Sequence, residues 1–405
     1  MDEVGRNARA ACRKLDSLRE LGSLHIGVSL PNGGKITVRS NVENASEVLP
    51  SELLHDKNDN LIIACALQLA KLNPIVVSKD INVRVKCDAL GVIAQDYMRL
   101  RAADQAENLY TGVVVSELDD ELVADIWALK KVDADMVPLD THPNQIVVVP
   151  KAAGSIGEST VIRRVKEHYA LVKNTRDIFG LDPRNKEQNF ALDLLLDPSV
   201  TLVTLVGPAG CGKTLIALAA GLHQTVGATQ LYEKLVVTRP IEPLGRDIGF
   251  LPGTFEEKMA PWIAPIRDNL GFLFSRGKDK SGVRRSKDGV ASADPYIATL
   301  FEAKKIEIEA VAYIRGRSIP NAFIIIDEAQ NLSVHELKTI ITRSGENTKI
   351  VLCGDVHQID VSHMDAVSNG LSYVVEAFKG EDMAGHVTLL KGERSALATR
   401  ASELL

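Results

Sequence analysis

Little in this sequence would fix the chain in a membrane, staple it with disulfides or draw it to a polyanion by bulk charge. No run of 18 or more apolar residues occurs, and Met1 is followed by Asp2 and Glu3 rather than by a basic and then apolar leader. Neither a membrane span nor a signal peptide is expected, and a soluble, cytosolic chain is the reading. Cysteine is sparse: Cys12, Cys65, Cys87, Cys211 and Cys353 are odd in number, scattered, and form no C-x-x-C pair. That excludes a disulfide framework and a thiolate zinc site, and leaves them as small buried hydrophobes. An excess of positive charge is also missing. With a formal net charge of -6, any nucleic-acid partner has to be held by a local basic patch against the field of the whole molecule. Internal repeats and long low-complexity segments are absent too.

What is present is enough chain, 405 residues, for two domains with a small module between them. The most informative stretch is "LVTLVGPAGCGKTLIALAAGL", Leu202 to Leu222. It fits G-x-x-x-x-G-K-[ST] with Gly207, Gly212, Lys213 and Thr214 in the fixed positions, a match that chance gives in about one chain in a hundred of this length. Its context adds weight. "TLVTLV" is a β-branched run suited to a strand buried on both faces, and "KTLIALAAGL" is rich in strong helix formers. On such a strand-to-helix turn, the backbone N–H groups of Gly207, Pro208 to Gly210, Cys211 and Gly212 (Ala209 among them; Pro208 itself has no N–H) can wrap phosphates, and the helix dipole adds to the grip. Lys213 is expected to neutralise the β- and γ-phosphates and Thr214 to ligate magnesium.

A second run, "AFIIIDEAQN" (Ala322 to Asn331), delivers Asp327 and Glu328 at the C-terminal end of an all-apolar strand, where ligands of open α/β sheets sit. Asp327 is expected to hold the magnesium shell, and Glu328 to orient and polarise the attacking water. The pair favours hydrolysis over phosphoryl transfer to a metabolite. A third buried run, "KIVLCGDVHQID" (Lys349 to Asp360), ends in Asp355 and Gln358. It suits the strand that additional-strand P-loop ATPases place between the other two, with a polar sensor of the γ-phosphate at its tip. Upstream, "PRNKEQNFAL" admits two readings: Asn185 and Gln188 as a capping box, or Gln188 as a reader of the adenine edge.

These segments, together with "VVTRPIEPLGRDIGFLPGTFEEKMAPWIAPIRDNL", "AYIRGRSIPNAFIIIDEAQN", "ITRSGENTKIVLCGDVHQID" and "KGERSALATRASELL", resemble the PhoH-like ATPases over roughly Lys173 to Leu405. The resemblance implies a RecA-like lobe that hydrolyses ATP with Mg2+, and RNA unwinding or remodelling in members fused to a nuclease-like domain. About 200 residues follow Gly207, enough for one lobe. An arginine for the transition-state charge is therefore expected from a neighbouring subunit of a homo-oligomer, with a ring of six as the natural assembly. Arg394 is the first candidate, ahead of Arg343, Arg239, Arg315 and Arg317. "SRGKDKSGVRRSKDG" (Ser275 to Gly289) could track a phosphate backbone but, without interleaved aromatics, reads rather as a solvated basic loop, and the glycine- and proline-flanked aromatics Phe250, Phe255 and Trp262 suit either a working loop or the core.

The front of the chain reads as a helix ("RNARAACRKLDSLREL"), a hairpin turning at Pro-Asn-Gly-Gly, an apolar helix ("NDNLIIACALQLAKL") and a buried strand with a short helix ("NPIVVSKDINVRVKCDALGV"). This resembles the later two-thirds of a PIN domain, a metal-dependent ribonuclease fold. Asp59 and Asp80 match its two later acids and Asp88 lies close by, around Mg2+ or Mn2+ in such domains. The opening strand of that fold, with its Asp-Thr-Asn-like end, does not match anything here. The expectation is a chain shortened at its start, Asp59 as a helix cap, Asp80 as a turn residue, and little ribonuclease activity. The resulting architecture is a partial PIN-like α/β/α domain (1–108), a β-rich connector (109–172) that acts as a spacer, and a RecA-like P-loop NTPase with a parallel sheet and flanking helices (173–405). Two functions fit: ATP-driven RNA remodelling, or a nucleotide-switched regulatory ring.

Overall fold

The computed structural model describes residues 3–39, 48–50, 53, 58–78, 80–96, 102–103, 106–150, 159–227, 229–240, 255–276, 290–314, 318–361 and 364–392. Two compact units divide at Arg99 and Leu100. The first opens with helix α1 (Glu3–Arg19) and a hairpin of β1 (Val28–Ser29) and β2 (Lys35–Ile36), paired antiparallel with Val28 opposite Ile36. Helix α2 (Asn58–Gln68), strand β3 (Ile75–Val77), helix α3 (Ile81–Ala89) and strand β4 (Ile93–Gln95) follow, with β3 and β4 parallel. Ile63, Val76, Val83, Cys87 and Val92 form the core of this unit. The expectation of buried cysteines holds for Cys87, Cys211 and Cys353 but not for Cys12, which is exposed, or Cys65, which is partly so. The reason for Cys12 is local: from Ala8 to Arg19 only Leu18 of α1 is buried, so the helix packs through a narrow edge.

The second unit contains two sheets. Strands β5 (Val113–Val115), β6 (Lys131–Asp133), β7 (Ile146–Val149), β8 (Thr160–Val165) and β9 (His168–Leu171), with helix α4 (Asp120–Leu129), make a five-stranded sheet of order β5-β7-β8-β9-β6. Then come helix α5 (Lys186–Leu196), strand β10 (Leu202–Val206), helix α6 (Lys213–Thr225) and strand β11 (Lys234–Arg239). They are followed by helices α7 (Phe255–Arg276) and α8 (Val290–Glu302), strand β12 (Ile306–Ala310), the short helix α9 (Val311–Ile314) and strand β13 (Ala322–Ile326). Helix α10 (Val334–Ile341), strand β14 (Lys349–Gly354), helix α11 (Gly370–Phe378) and strand β15 (Ala384–Thr388) complete it.

The larger sheet has the order β12-β11-β13-β14-β10-β15, and every pairing in it is parallel. Its central strands are apolar runs because both faces are covered. Alternate residues divide between two cores. Val203, Leu205, Phe323, Ile325 and Val351 face the layer with α5, α6 and α7, while Leu202, Val206, Ile324, Ile326 and Leu352 face the layer with α10 and α11. Each fully buried side chain of this size contributes about 1.5–3 kcal/mol. Strand β14 lies between β10 and β13, the order expected of an additional-strand ATPase. Among the described residues no helix is long and apolar enough to cross a membrane.

The smaller sheet is built onto the larger one. The Asn144 amide donates to the carbonyls of Asp382 (2.8 Å) and Ala384 (2.9 Å), and Thr388 N donates to Thr111 O at 3.0 Å. Gly112, at φ +76°, brings its backbone so close that a Cβ there would stand 1.8 Å from His386 O, a separation no side chain tolerates. Tyr110 packs its ring 5.7 Å from that of His386, whose imidazole burial pulls down to about 3. Arg163 of β8 pairs with Asp193 (3.2 Å) and Asp197 at the end of α5. A buried lysine finishes the same helix. Lys349 Nζ donates to the carbonyls of Leu194 (3.3 Å), Leu195 (2.7 Å) and Asp197 (2.7 Å), satisfying groups that a helix end leaves unpaired.

Burial pulls Lys349 from 10.5 down to about 7, against the opposing pull of Asp197. Between those values the unfolded chain binds more protons than the folded one, so the contribution of Lys349 to stability rises with pH and is lost as pH falls through about 7. Replacing it with methionine leaves buried carbonyls unpaired and is expected to cost about 3 kcal/mol in urea unfolding. The gap between wild type and Lys349→Met should widen from pH 7 to about pH 9; a gap independent of pH would show that the lysine stays charged.

Candidate functional site: a phosphate loop at the tips of a parallel sheet

Parallel strands bring their C-terminal ends to one side of the sheet, and three of them meet the same crevice here. The turn after β10 carries Gly207, Pro208, Ala209, Gly210, Cys211 and Gly212 into α6, which starts at Lys213. Gly212 is the N-cap at φ 92°, a left-handed conformation that favours glycine, and no side chain caps the helix. The first-turn amides of α6 are thus open to an anion. Lys213 curls over its own loop, with Nζ donating to Gly207 O (2.6 Å) and Pro208 O (3.0 Å). Cys211 is buried beneath it and its thiol is pushed up by burial.

Across the crevice, Thr214 Oγ1 donates to Asp327 Oδ1 at 2.6 Å, joining residues 113 positions apart in the chain. Asp327 is buried, and burial raises its carboxyl; Glu328 raises it further, while the Thr214 hydrogen bond, Arg239 and Lys213 lower it. Its ionised form therefore calls for a cation beside it. The hydroxyl and carboxylate together are the hard oxygen donors that magnesium takes.

Glu328 sits in the left-handed region at φ 53°. Its Oε1 accepts from Arg239 Nη2 at 3.1 Å and its Oε2 from Gln330 Nε2 at 2.8 Å. Gln330 also donates to Gln358 O (2.8 Å) and accepts from Asp355 N (3.1 Å), so it laces the tip of β13 to the tip of β14. Asp355 is buried there and accepts from His357 N at 3.0 Å, while Gln358 contributes its backbone carbonyl.

Gln188 has both ends of its amide engaged by the chain itself. Oε1 accepts from Arg184 N at 2.8 Å, and Nε2 donates to Cys211 O in the phosphate loop at 3.0 Å. The capping half of the earlier alternative is present, since Asn185 Oδ1 accepts from Gln188 N at 2.9 Å, but Gln188 does not return the bond to Asn185 N. Beside it lies a pocket of about 290 Å³ lined by Leu181, Arg184, Gln188, Leu215, Ile216 and Phe272, among others, large enough to take a nucleotide base. Phe272 and Gln330 did not emerge from sequence reasoning. Phe272 comes from a helix remote in sequence, and Gln330 takes its role from partners on a second strand tip.

The remaining expected residues fall elsewhere. Arg394, Arg315, Arg317 and Phe250 lie outside the described residues, as does most of the basic stretch from Ser275 to Gly289. Arg343 is exposed after α10, beside the bridge between Ser344 and Ile319 that precedes β13, so it stands at the opposite end of the sheet from the phosphate loop. Arg239, a candidate to act on a neighbour, is instead inside its own lobe and bound to Glu328. In the first unit, Asp80 is the N-cap of α3, accepting from Asn82 N at 2.7 Å, and so is more than a turn residue. Asp59 lies in the first turn of α2 rather than at its cap. Among the described residues no three His, Cys, Asp or Glu side chains converge to hold a metal ion.

A glycine turn feeding an uncapped helix, a lysine over it and a buried Thr–Asp pair across the crevice define a P-loop nucleotide-binding domain. Residues 180–404 match the family described as PhoH-like protein, and residues 1–98 match the family described as PIN domain. The chain belongs to the PhoH-like protein family. Protein PhoH2 of Bacillus subtilis (strain 168) is 44% identical over 422 residues, covering 100% of this chain and 90% of the relative. Protein PhoH of Escherichia coli (strain K12) is 35% identical over 240 residues, 58% of this chain and 60% of the relative. Among solved structures, the Pif1 helicase from Candida albicans aligns with 55% of this chain and 43% of that chain at 17% identity and a TM-score of 0.29.

Because Gln188 braces the loop, Gln188→Leu is expected to weaken ATP and GTP binding alike, by about tenfold, the effect of losing roughly 1.4 kcal/mol. A loss confined to ATP, read by fluorescent-nucleotide titration, would instead assign the side chain to the adenine edge.

Proposed function

We propose that this chain hydrolyses ATP in the crevice at the tips of β10, β13 and β14 and uses the hydrolysis to remodel RNA. The observation that carries the hydrolytic part is the meeting of Lys213, Thr214, Asp327 and Glu328 in one crevice, with Thr214 bonded directly to Asp327. In this reading the base enters the pocket beside Phe272, and the phosphates lie along the loop amides. Lys213 exchanges two weakly basic carbonyls for phosphate oxygens, a charge-assisted and stronger set of bonds. Thr214 and Asp327 hold magnesium, which supplies positive charge to the phosphate oxygens when bound. Glu328 aligns a water and takes its proton as that water attacks, which is the work of a general base. RNA as the polymer is supported by the family resemblance, which implies RNA remodelling in members fused to a nuclease-like domain, and by the match of residues 1–98 to the PIN domain family. Assembly of subunits into a ring belongs to the same reading.

Lys213→Ala is expected to abolish hydrolysis and most tight nucleotide binding. Glu328→Gln should keep binding and lower turnover by at least about a hundredfold. Equal loss of binding in the two variants would overturn this division of roles. For the RNA part, ATPase rate is to be measured with single-stranded RNA, single-stranded DNA and no polymer. Stimulation by RNA is expected, and a rate indifferent to every polymer would replace remodelling with a nucleotide-switched assembly.

A further inference from the structure

Glu328, the residue placed as general base, has no free carboxylate oxygen in this arrangement. Oε2 is held by Gln330, whose side chain is nearly inaccessible (1% exposed) and pinned by Gln358 O and Asp355 N, so that bond is part of a fixed frame. Oε1 is held differently. Arg239 is the last residue of β11, its side chain is 28% exposed, and among the described residues its guanidinium partner is Glu328, itself 33% exposed. Ion pairs this open to water hold weakly and exchange readily. While the pair is made, a charge-assisted donor engages Oε1 and makes the carboxylate a weaker base toward a water proton.

Arg239 also stands at the phosphate end of the crevice. Asp327, which is bonded to Thr214 at the head of α6, is acted on by the charges of Glu328, Arg239 and Lys213 together. A guanidinium offers five N–H donors in a planar fork that suits a phosphate at least as well as a carboxylate. A terminal phosphate carries more negative charge than a single carboxylate and competes for the fork by simple Coulomb attraction.

We infer that Arg239 is a positioning residue that passes from Glu328 to the terminal phosphate of a bound nucleoside triphosphate, so that Glu328 is released for water only when a third phosphate is present. The lobe then distinguishes triphosphate from diphosphate with its own arginine. This rests on the proposed nucleotide site, and it adds a specificity that the phosphate loop alone does not supply, since the loop grips both nucleotides.

The test is a binding cycle with a non-hydrolysable ATP analogue and with ADP, using wild type, Arg239→Ala, Arg239→Lys, Glu328→Gln and the Arg239→Ala/Glu328→Gln double variant. Arg239→Ala is expected to weaken the triphosphate about tenfold and to leave ADP unchanged, which also serves as the folding control. Arg239→Lys should restore part of the preference. Glu328→Gln, by weakening the resting pair, should tighten the triphosphate several-fold, and this gain should vanish in the double variant because the two residues are coupled. An unchanged triphosphate-to-diphosphate ratio in Arg239→Ala, or a Glu328→Gln gain that survives without Arg239, would overturn the exchange while leaving the nucleotide site standing. A wild-type chain that bound neither nucleotide would remove the site itself.

Discussion

The parallel pairing of β14 between β10 and β13 is the constraint on which everything at the crevice depends. Val206 stands opposite Gly354 and Ile326 opposite Leu352, so the three strand ends finish within two residues of one another. The phosphate loop, the Asp-Glu pair and the Asp355 turn then emerge at one level, although they are far apart in sequence. Because side chains alternate with a period of two, a slip of one residue in β14 would send Val351 and Cys353 to the wrong core and carry the tip out of register. The core therefore fixes the chemistry's geometry: the same alternation that divides Val351 from Leu352 between two hydrophobic layers sets where Gln330 meets Asp355 N.

Given that frame, polar groups at the tips are arranged by how much freedom each keeps. Asp327 is buried and takes its hydrogen bond from Thr214, so its position is set by packing. Gln330 is buried and bonded to three different groups, and it ties the two strand ends into a single rigid edge. Lys213 and Arg239 are the cations with room to move, the first resting on backbone carbonyls and the second on Glu328. A site built this way keeps its acceptors still and lets its cations choose between partners, which suits a ligand whose charge changes during the reaction.

Much of this was legible in the sequence. "TLVTLV", "AFIIIDEAQN" and "KIVLCGDVHQID" announce strands buried on both faces because nothing polar interrupts them until the tip, and the glycine-lysine turn has few structural alternatives. The Pro-Asn-Gly-Gly hairpin was equally plain. What stayed hidden depends on partners distant in the chain. "TVIRRV" did not read as a strand, since Arg163 is buried only by virtue of Asp193 and Asp197. Lys349 at the head of β14 carries no local signal of its partners, yet it is enclosed by the carbonyls of α5. Arg239 had the composition of a finger for a neighbouring subunit, and only the fold turns it onto Glu328. The smaller sheet read as a spacer because the features that seat it, Gly112 against His386 and Asn144 against β15, are single residues without periodicity.

Helix α5 links these two scales of organisation. Eleven residues of helix extend about 16 Å, and each end is fixed by something the other end does not touch. At the start, Gln188 reaches from Arg184 N to the carbonyl of Cys211, so the first turn of α5 and the phosphate loop share an amide. At the finish, Lys349 holds the last carbonyls and Arg163 brings in the smaller sheet through Asp193 and Asp197. The side between is packed flat, with Phe190, Ala191, Leu194 and Leu195 in the core. A helix held at both ends and along its length behaves as a rod. The buried charges at its far end therefore have a use that does not depend on their net stability, which such pairs often lack. They fix the position of a helix whose opposite end braces the phosphate loop through Gln188.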